Sequence, residues 1–122
     1  MIHHVTVETT PALAEACACF YRLLGFERVE VAPALRGRVV WLEREGSQIH
    51  LLLCDRPTPQ GSGHFAVLVA DFDATFELLE NHGHEPEHRA RYWGSPRAYV
   101  HDPAGNLVEF MAYPPRTGRD VG

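Results

Sequence analysis

The 122-residue chain carries one pattern twice. Residues 2–8 alternate and are rich in β-branched types, which predicts a strand. Thr10-Pro11 supplies an N-cap and a first-turn proline. Leu13, Cys17, Phe20 and Leu24 follow at helical spacing, and Gly25 stops the helix. Residues 26–31, 37–44 and 47–54 read as three strands. Residues 55–63, Asp-Arg-Pro-Thr-Pro-Gln-Gly-Ser-Gly, are turn formers throughout. The order then restarts. A strand at 64–70 leads to a helix capped by Asp71 or Asp73, bearing Phe72, Phe76 and Leu79 and ending at Gly83. A weak strand at 84–89 is interrupted by Pro86, and strands at 97–101 and 106–113 flank the turn Asp102-Pro103-Ala104-Gly105. His4 maps to His64 at an offset of 60, Gly25 to Gly83 at 58 and His50 to Glu109 at 59. A near-constant offset marks an internal duplication. The expected fold is therefore α+β: two tandem βαβββ modules, each a four-stranded sheet with one helix on its outer face, the two inner faces forming a cup. One domain spans 1–122, with modules at about 1–54 and 64–113, a linker at 55–63 and a loose tail at 114–122.

Charge narrows the function classes. Eleven basic against sixteen acidic residues leave a net charge of −5. A nucleic-acid binder needs a basic face, and an anionic membrane attracts one, so neither partner is expected. Every basic residue is Arg, which excludes Schiff-base lysine chemistry and a P-loop. Cys17, Cys19 and Cys54 form no CxxC and are an odd set, as expected of thiols in a reducing cytoplasm. No export leader and no membrane-length apolar run is evident, so a cytoplasmic protein is expected.

Side chains alternate faces along a strand, so parity assigns each residue a side. Val5 and Val7, Ile49 and Leu51, Phe65 and Val67, and Val108 and Phe110 form apolar rows for the helix side. The opposite faces carry His4, His50, His64 and Glu109. Singly, each is an ordinary polar residue facing water. As four repeat-related positions of matching parity, three imidazoles and a carboxylate are expected to hold a divalent metal, with Zn, Ni, Co or Fe suited to the donors.

These features resemble the vicinal oxygen chelate superfamily, which includes glyoxalase I, fosfomycin-resistance, extradiol dioxygenase and bleomycin-resistance proteins. The matching stretches are His4-Val5, Phe20-Tyr21-Arg22-Leu23-Leu24-Gly25-Phe26, Gly63-His64-Phe65-Ala66-Val67 and His101-Asp102-Pro103-Ala104-Gly105-Asn106-Leu107-Val108-Glu109-Phe110. The Asp-Pro-x-Gly-Asn turn before the final strand is the most specific. The resemblance spans 1–113 and implies metal ligands at His4, His50, His64 and Glu109. Glyoxalase I has Glu where this chain has His50, and fosfomycin-resistance enzymes have a lysine this chain lacks.

The resemblance implies a glyoxalase-like, metal-dependent isomerase or lyase for a small substrate with vicinal oxygens, proceeding through a stabilised enediolate with Glu109 as the catalytic base. It also implies a homodimer. The alternative is an antibiotic- or metabolite-binding protein without catalysis, and a lesser one is an Fe(II) extradiol-type dioxygenase. Trp41, Trp93, Arg97, Tyr99 and His101 are expected to line the substrate pocket, with Tyr92 beside them. Arg97 reads as a clamp for a substrate oxyanion or as a solvated surface arginine, and His101 as a proton relay or a turn-flanking residue. Glu8 and Glu43 share the inner parity but read as surface carboxylates. His82, His84 and His88 read as a solvated loop.

Overall fold

A computed structural model describes residues 1–116. Two four-stranded sheets are present. The first holds β1 (His4–Thr9), β2 (Glu27–Val29), β3 (Val39–Arg44) and β4 (Ser47–Leu53) in the order β1-β4-β3-β2. The second holds β5 (His64–Leu68), β6 (Glu87–His88), β7 (Arg97–His101) and β8 (Leu107–Met111) in the order β5-β8-β7-β6. Each sheet pairs its first and last strands in parallel and the remaining pairs antiparallel. The duplication expected from the offsets is thus a duplication of topology. Strand boundaries differ from the sequence reading at the ends. The weak strand shrinks to two residues next to Pro86, which has no N–H to donate.

Local chemistry explains the helix ends. Thr10 Oγ1 accepts from the Leu13 amide at 3.2 Å, and Pro11–Leu13 form a 3-10 turn before α1 (Ala14–Leu23). Gly25 follows at φ +93°, and a Cβ there would meet Arg44 Cδ at 2.9 Å. That arginine donates to the Leu24 carbonyl at 2.9 Å and lies over the Phe26 ring, so glycine makes room for the group that caps the helix. Asp71, not Asp73, caps α2 (Phe72–Asn81), accepting from the Ala74 amide at 3.0 Å. Glu45 and Gly46, both at positive φ, make the tight β3–β4 hairpin turn.

The apolar rows read by parity form one continuous core with both helices. Cys17, Phe20, Tyr21, Leu51, Val108 and Phe110 are fully buried in it. The core joins the modules on their helix sides: α1 touches α2, and the Tyr21 ring stacks near Phe65 at 6.2 Å. A polar knot fixes the junction. Asp102, at 4% exposure, accepts from Tyr21 Oη at 2.7 Å, from the Ala104 and Asn106 amides at 2.9 Å, and from Asn106 Nδ2 at 2.9 Å. Asn106 Nδ2 also donates to the Glu8 carbonyl at 2.9 Å. The turn therefore binds α1 and β1 of the first module to β7 and β8 of the second. Burial beside the Asp102 carboxylate pushes the Tyr21 phenol well above its ordinary range, so it stays a donor.

Tyr21→Phe removes one donor to a buried carboxylate and is expected to cost about 1.5–3 kcal/mol in urea denaturation. A loss below half a kcal/mol would show that the knot is not what joins the modules.

Candidate functional site

The second sheet's inner face carries a charged wall. Glu109 projects from β8 at 5% exposure. Its Oε2 accepts from Arg97 Nε at 2.7 Å, and its Oε1 lies 3.1 Å from His64 Nε2. Register explains the meeting: Glu109 faces Tyr99 on β7 and Ala66 on β5, so Arg97 and His64 are its diagonal neighbours. Arg97 donates Nη1 to the Ala90 carbonyl at 2.9 Å and Nη2 to Tyr99 Oη at 3.2 Å. Tyr92, Trp93 and Tyr99 place their rings 5.3–5.6 Å from its guanidinium carbon. The Glu109 hydrogen bond outweighs burial and raises the Arg97 pKa above its already high value. Arg97 is not the solvated surface arginine that was one of its two readings: it is buried and clamps the protein's own carboxylate.

The first sheet's inner face carries a row of rings. Trp41, His50 and His4 come from adjacent strands and stack in sequence, at 5.0 Å with 20° between planes and then 3.9 Å with 12°. His50 Nε2 lies 2.7 Å from Gln48 Oε1. Gln48 Nε2 donates to Glu43 Oε1 at 2.9 Å, which orients the amide oxygen toward His50. An amide oxygen only accepts, so His50 Nε2 carries a proton. His4 Nδ1 is 2.9 Å from His3 Nδ1. Burial first, then the charges of His4 and His3, pull His50 below the ordinary imidazole value of 6.5.

The profile of the Glyoxalase/Bleomycin resistance protein/Dioxygenase superfamily matches residues 1–110. The chain belongs to this superfamily. No curated protein matches it. A solved glyoxalase family protein from Bacillus anthracis is 28% identical, with 91% of this chain and 93% of that one covered and a TM-score of 0.82. Lactoylglutathione lyase from Agrobacterium tumefaciens is 25% identical, covering 91% and 92%, at 0.70. TnmS3, an antibiotic binding protein from Streptomyces sp. CB03234, shares the fold at 23% identity, 91% and 93% coverage and 0.68.

Among the described residues of one chain, no three ligand-type side chains gather as a metal group. The four expected ligands are brought together as two pairs, His4 with His50 and His64 with Glu109. The first pair does not converge. Lone pairs of two near-parallel rings run side by side, and the His50 Nε2 proton faces Gln48. The second pair does. His64 Nδ1 lies 2.9 Å from the Ser62 carbonyl, which only accepts, so Nδ1 carries a proton and Nε2 is the nitrogen turned toward Glu109. Nε2 and the Glu109 carboxylate oxygen stand 3.1 Å apart. A contact of this kind holds either a proton, as an imidazolium–carboxylate pair, or a cation. Two donors each about 2.1 Å from one ion, at a right angle, have this spacing.

The other expected residues divide. Trp41, Trp93, Arg97 and Tyr99 lie on or beside the two inner faces. His101 does not join them: it is exposed and lines an open cleft with His84, Glu85 and Pro103. His84 is not solvated loop, since its ring meets Phe20 edge-on at 4.9 Å, and burial lowers its pKa. His88 stacks on Phe76 at 4.2 Å. Glu8 accepts from the Thr58 amide at 2.7 Å, a structural role. Sequence reasoning missed Arg89, whose guanidinium lies 4.8 Å over the Tyr99 ring. Its signal was register: the Arg89 amide bonds to the Arg97 carbonyl at 2.9 Å, so both arginines share a face.

Two outcomes are expected. Arg97→Met leaves Glu109 buried without its counter-charge and should destabilise the fold by about 3 kcal/mol in chemical denaturation. His50 and His84 titrate lower folded than unfolded, so their contribution is full above pH 6.5 and declines as pH falls through the folded values. A His50→Gln, His84→Gln double variant should flatten that decline; an unchanged slope would assign it to other groups.

Proposed function

We propose that the chain is a metal-dependent enzyme of isomerase or lyase type, acting on a small substrate with two neighbouring oxygens. The observation that carries this is the 3.1 Å contact of His64 Nε2 with Glu109 Oε1, with Ser62 holding the imidazole and Arg97 the carboxylate. His64, Glu109 and His4 would hold the ion, the two-imidazole, one-carboxylate set that leaves positions open to substrate. His50 is the fourth candidate and in this geometry steadies the His4 ring. A bound divalent cation supplies Lewis-acid polarisation of substrate oxygens.

The chain's own groups do the rest. Arg97 fixes Oε2 of Glu109 and leaves Oε1 as the oxygen that faces the site; as a base it would take a proton from substrate there only when it no longer holds the ion. Ser62 holds the His64 tautomer through its carbonyl. Trp41 and Tyr99 supply apolar walls.

In this reading the site is completed between two copies. The helix-side core and the Asp102 knot bind the modules so that His4 and His64–Glu109 sit on separate open sheets. Leu52 and Leu68, on the same inner parities, are 39% and 45% exposed, as suits faces that a second copy covers. His4 of one copy then joins His64 and Glu109 of the other. A second reading, ligand binding without catalysis, is favoured by one observation: Arg97 already neutralises Glu109, so the carboxylate needs no cation for charge balance.

Metal content decides. Untagged protein purified without chelator should carry about one ion per chain, lost in His64→Ala and largely kept in His50→Ala. His4→Ala and Glu109→Ala should each lose it. Co-expressed, they should recover about a quarter of the wild-type content, since half the dimers are mixed and each mixed dimer has one intact site. No recovery, with metal bound by wild type, would place the whole site in one chain. No metal in wild type, even on titration, would leave the binding-protein reading.

A further inference from the structure

The second sheet's inner face holds two arginines in different circumstances. Arg97 is committed: its Nε, Nη1 and Nη2 all have partners, and its side chain is 8% exposed. Arg89 is not. Its one carboxylate contact among the described residues is Glu87 at 4.0 Å, between side chains 44% and 75% exposed, where solvent screens most of the attraction. Yet Arg89 is placed. The β6–β7 register puts it on the inner face, and its guanidinium lies 4.8 Å over the ring of Tyr99. That ring in turn lies 4.8 Å from the ring of His64. An available guanidinium thus stands one aromatic ring away from the His64–Glu109 pair. Two of the first sheet's inner-face carboxylates have partners of their own: Glu8 the Thr58 amide and Glu43 the Gln48 amide group.

We propose that Arg89 binds an anionic group of the substrate, and that the site accepts a small organic acid whose carboxylate lies on Arg89 while its reacting end lies at His64 and Glu109. This rests on the reading of that pair as the reacting end of the site. A guanidinium offers a planar fork that matches a carboxylate in two parallel hydrogen bonds. The Tyr99 ring, 4.8 Å from the guanidinium carbon, holds the charge in place by cation–π attraction. The specificity follows: a neutral analogue of the same shape loses the fork and gains nothing in return.

The test uses benzoate and benzyl alcohol, which share a ring and differ in charge, titrated calorimetrically into the wild-type protein, Arg89→Ala and Arg89→Gln. Arg28→Ala, which removes a positive charge on the helix side of β2, controls for overall charge. Benzoate should bind saturably, at least about tenfold more weakly in both Arg89 variants and unchanged in Arg28→Ala. Benzyl alcohol should bind all four proteins alike. Equal benzoate affinity in the Arg89 variants, an equal loss for benzyl alcohol, or no saturable benzoate binding by wild type would each overturn the assignment. Metal content of the same preparations reports separately on the metal reading: Arg89-dependent benzoate binding by metal-free protein keeps this inference and removes that one.

Discussion

One buried carboxylate, Asp102, governs how the two halves of the chain meet. It receives hydrogen bonds from a helix of the first module, from its own turn and from Asn106, which also reaches β1. A buried anion is tolerable only when donors surround it, and no donor here can leave without exposing the charge to an apolar core. The modules are accordingly joined on their helix sides. The four residues expected as ligands then fall on two sheets, His4 and His50 on the first and His64 and Glu109 on the second.

The fold was legible because its signals were local and repeated. Alternation in the strands placed Val5, Leu51, Val67 and Phe110 in the core and His4, His50, His64 and Glu109 on the other faces, and parity survives small errors at strand ends. The turn 102–106 was legible as a motif, but its role was not. That Asp102 would receive the Tyr21 hydroxyl depends on where α1 lands relative to the second sheet, a contact across 81 positions that no periodicity encodes.

The site was half legible. Parity states which face a residue shares, not what meets it there. It gave Arg97 its face but not its partner, since the diagonal approach to Glu109 appears only once the β7–β8 register is fixed. It gave His101 the face of Tyr99, but that residue lies at the strand end and meets a different cleft. Arg89 escaped because Pro86 obscures the alternation of β6. The His4–His50 stack escaped because ring orientation follows from neighbours such as Gln48, whose own orientation is set by Glu43.

The bond between Arg97 and Glu109 has a bearing on descent. A lineage that neutralised position 109 alone would inherit a guanidinium fixed among three aromatic rings and a backbone carbonyl with no counter-ion. One that neutralised position 97 alone would inherit the converse. Each single step crosses a valley that the double step avoids, so the two codons are bound to covary although twelve positions separate them. A branch of the family that lost the carboxylate at position 109 would be recognisable by the loss of the arginine at position 97.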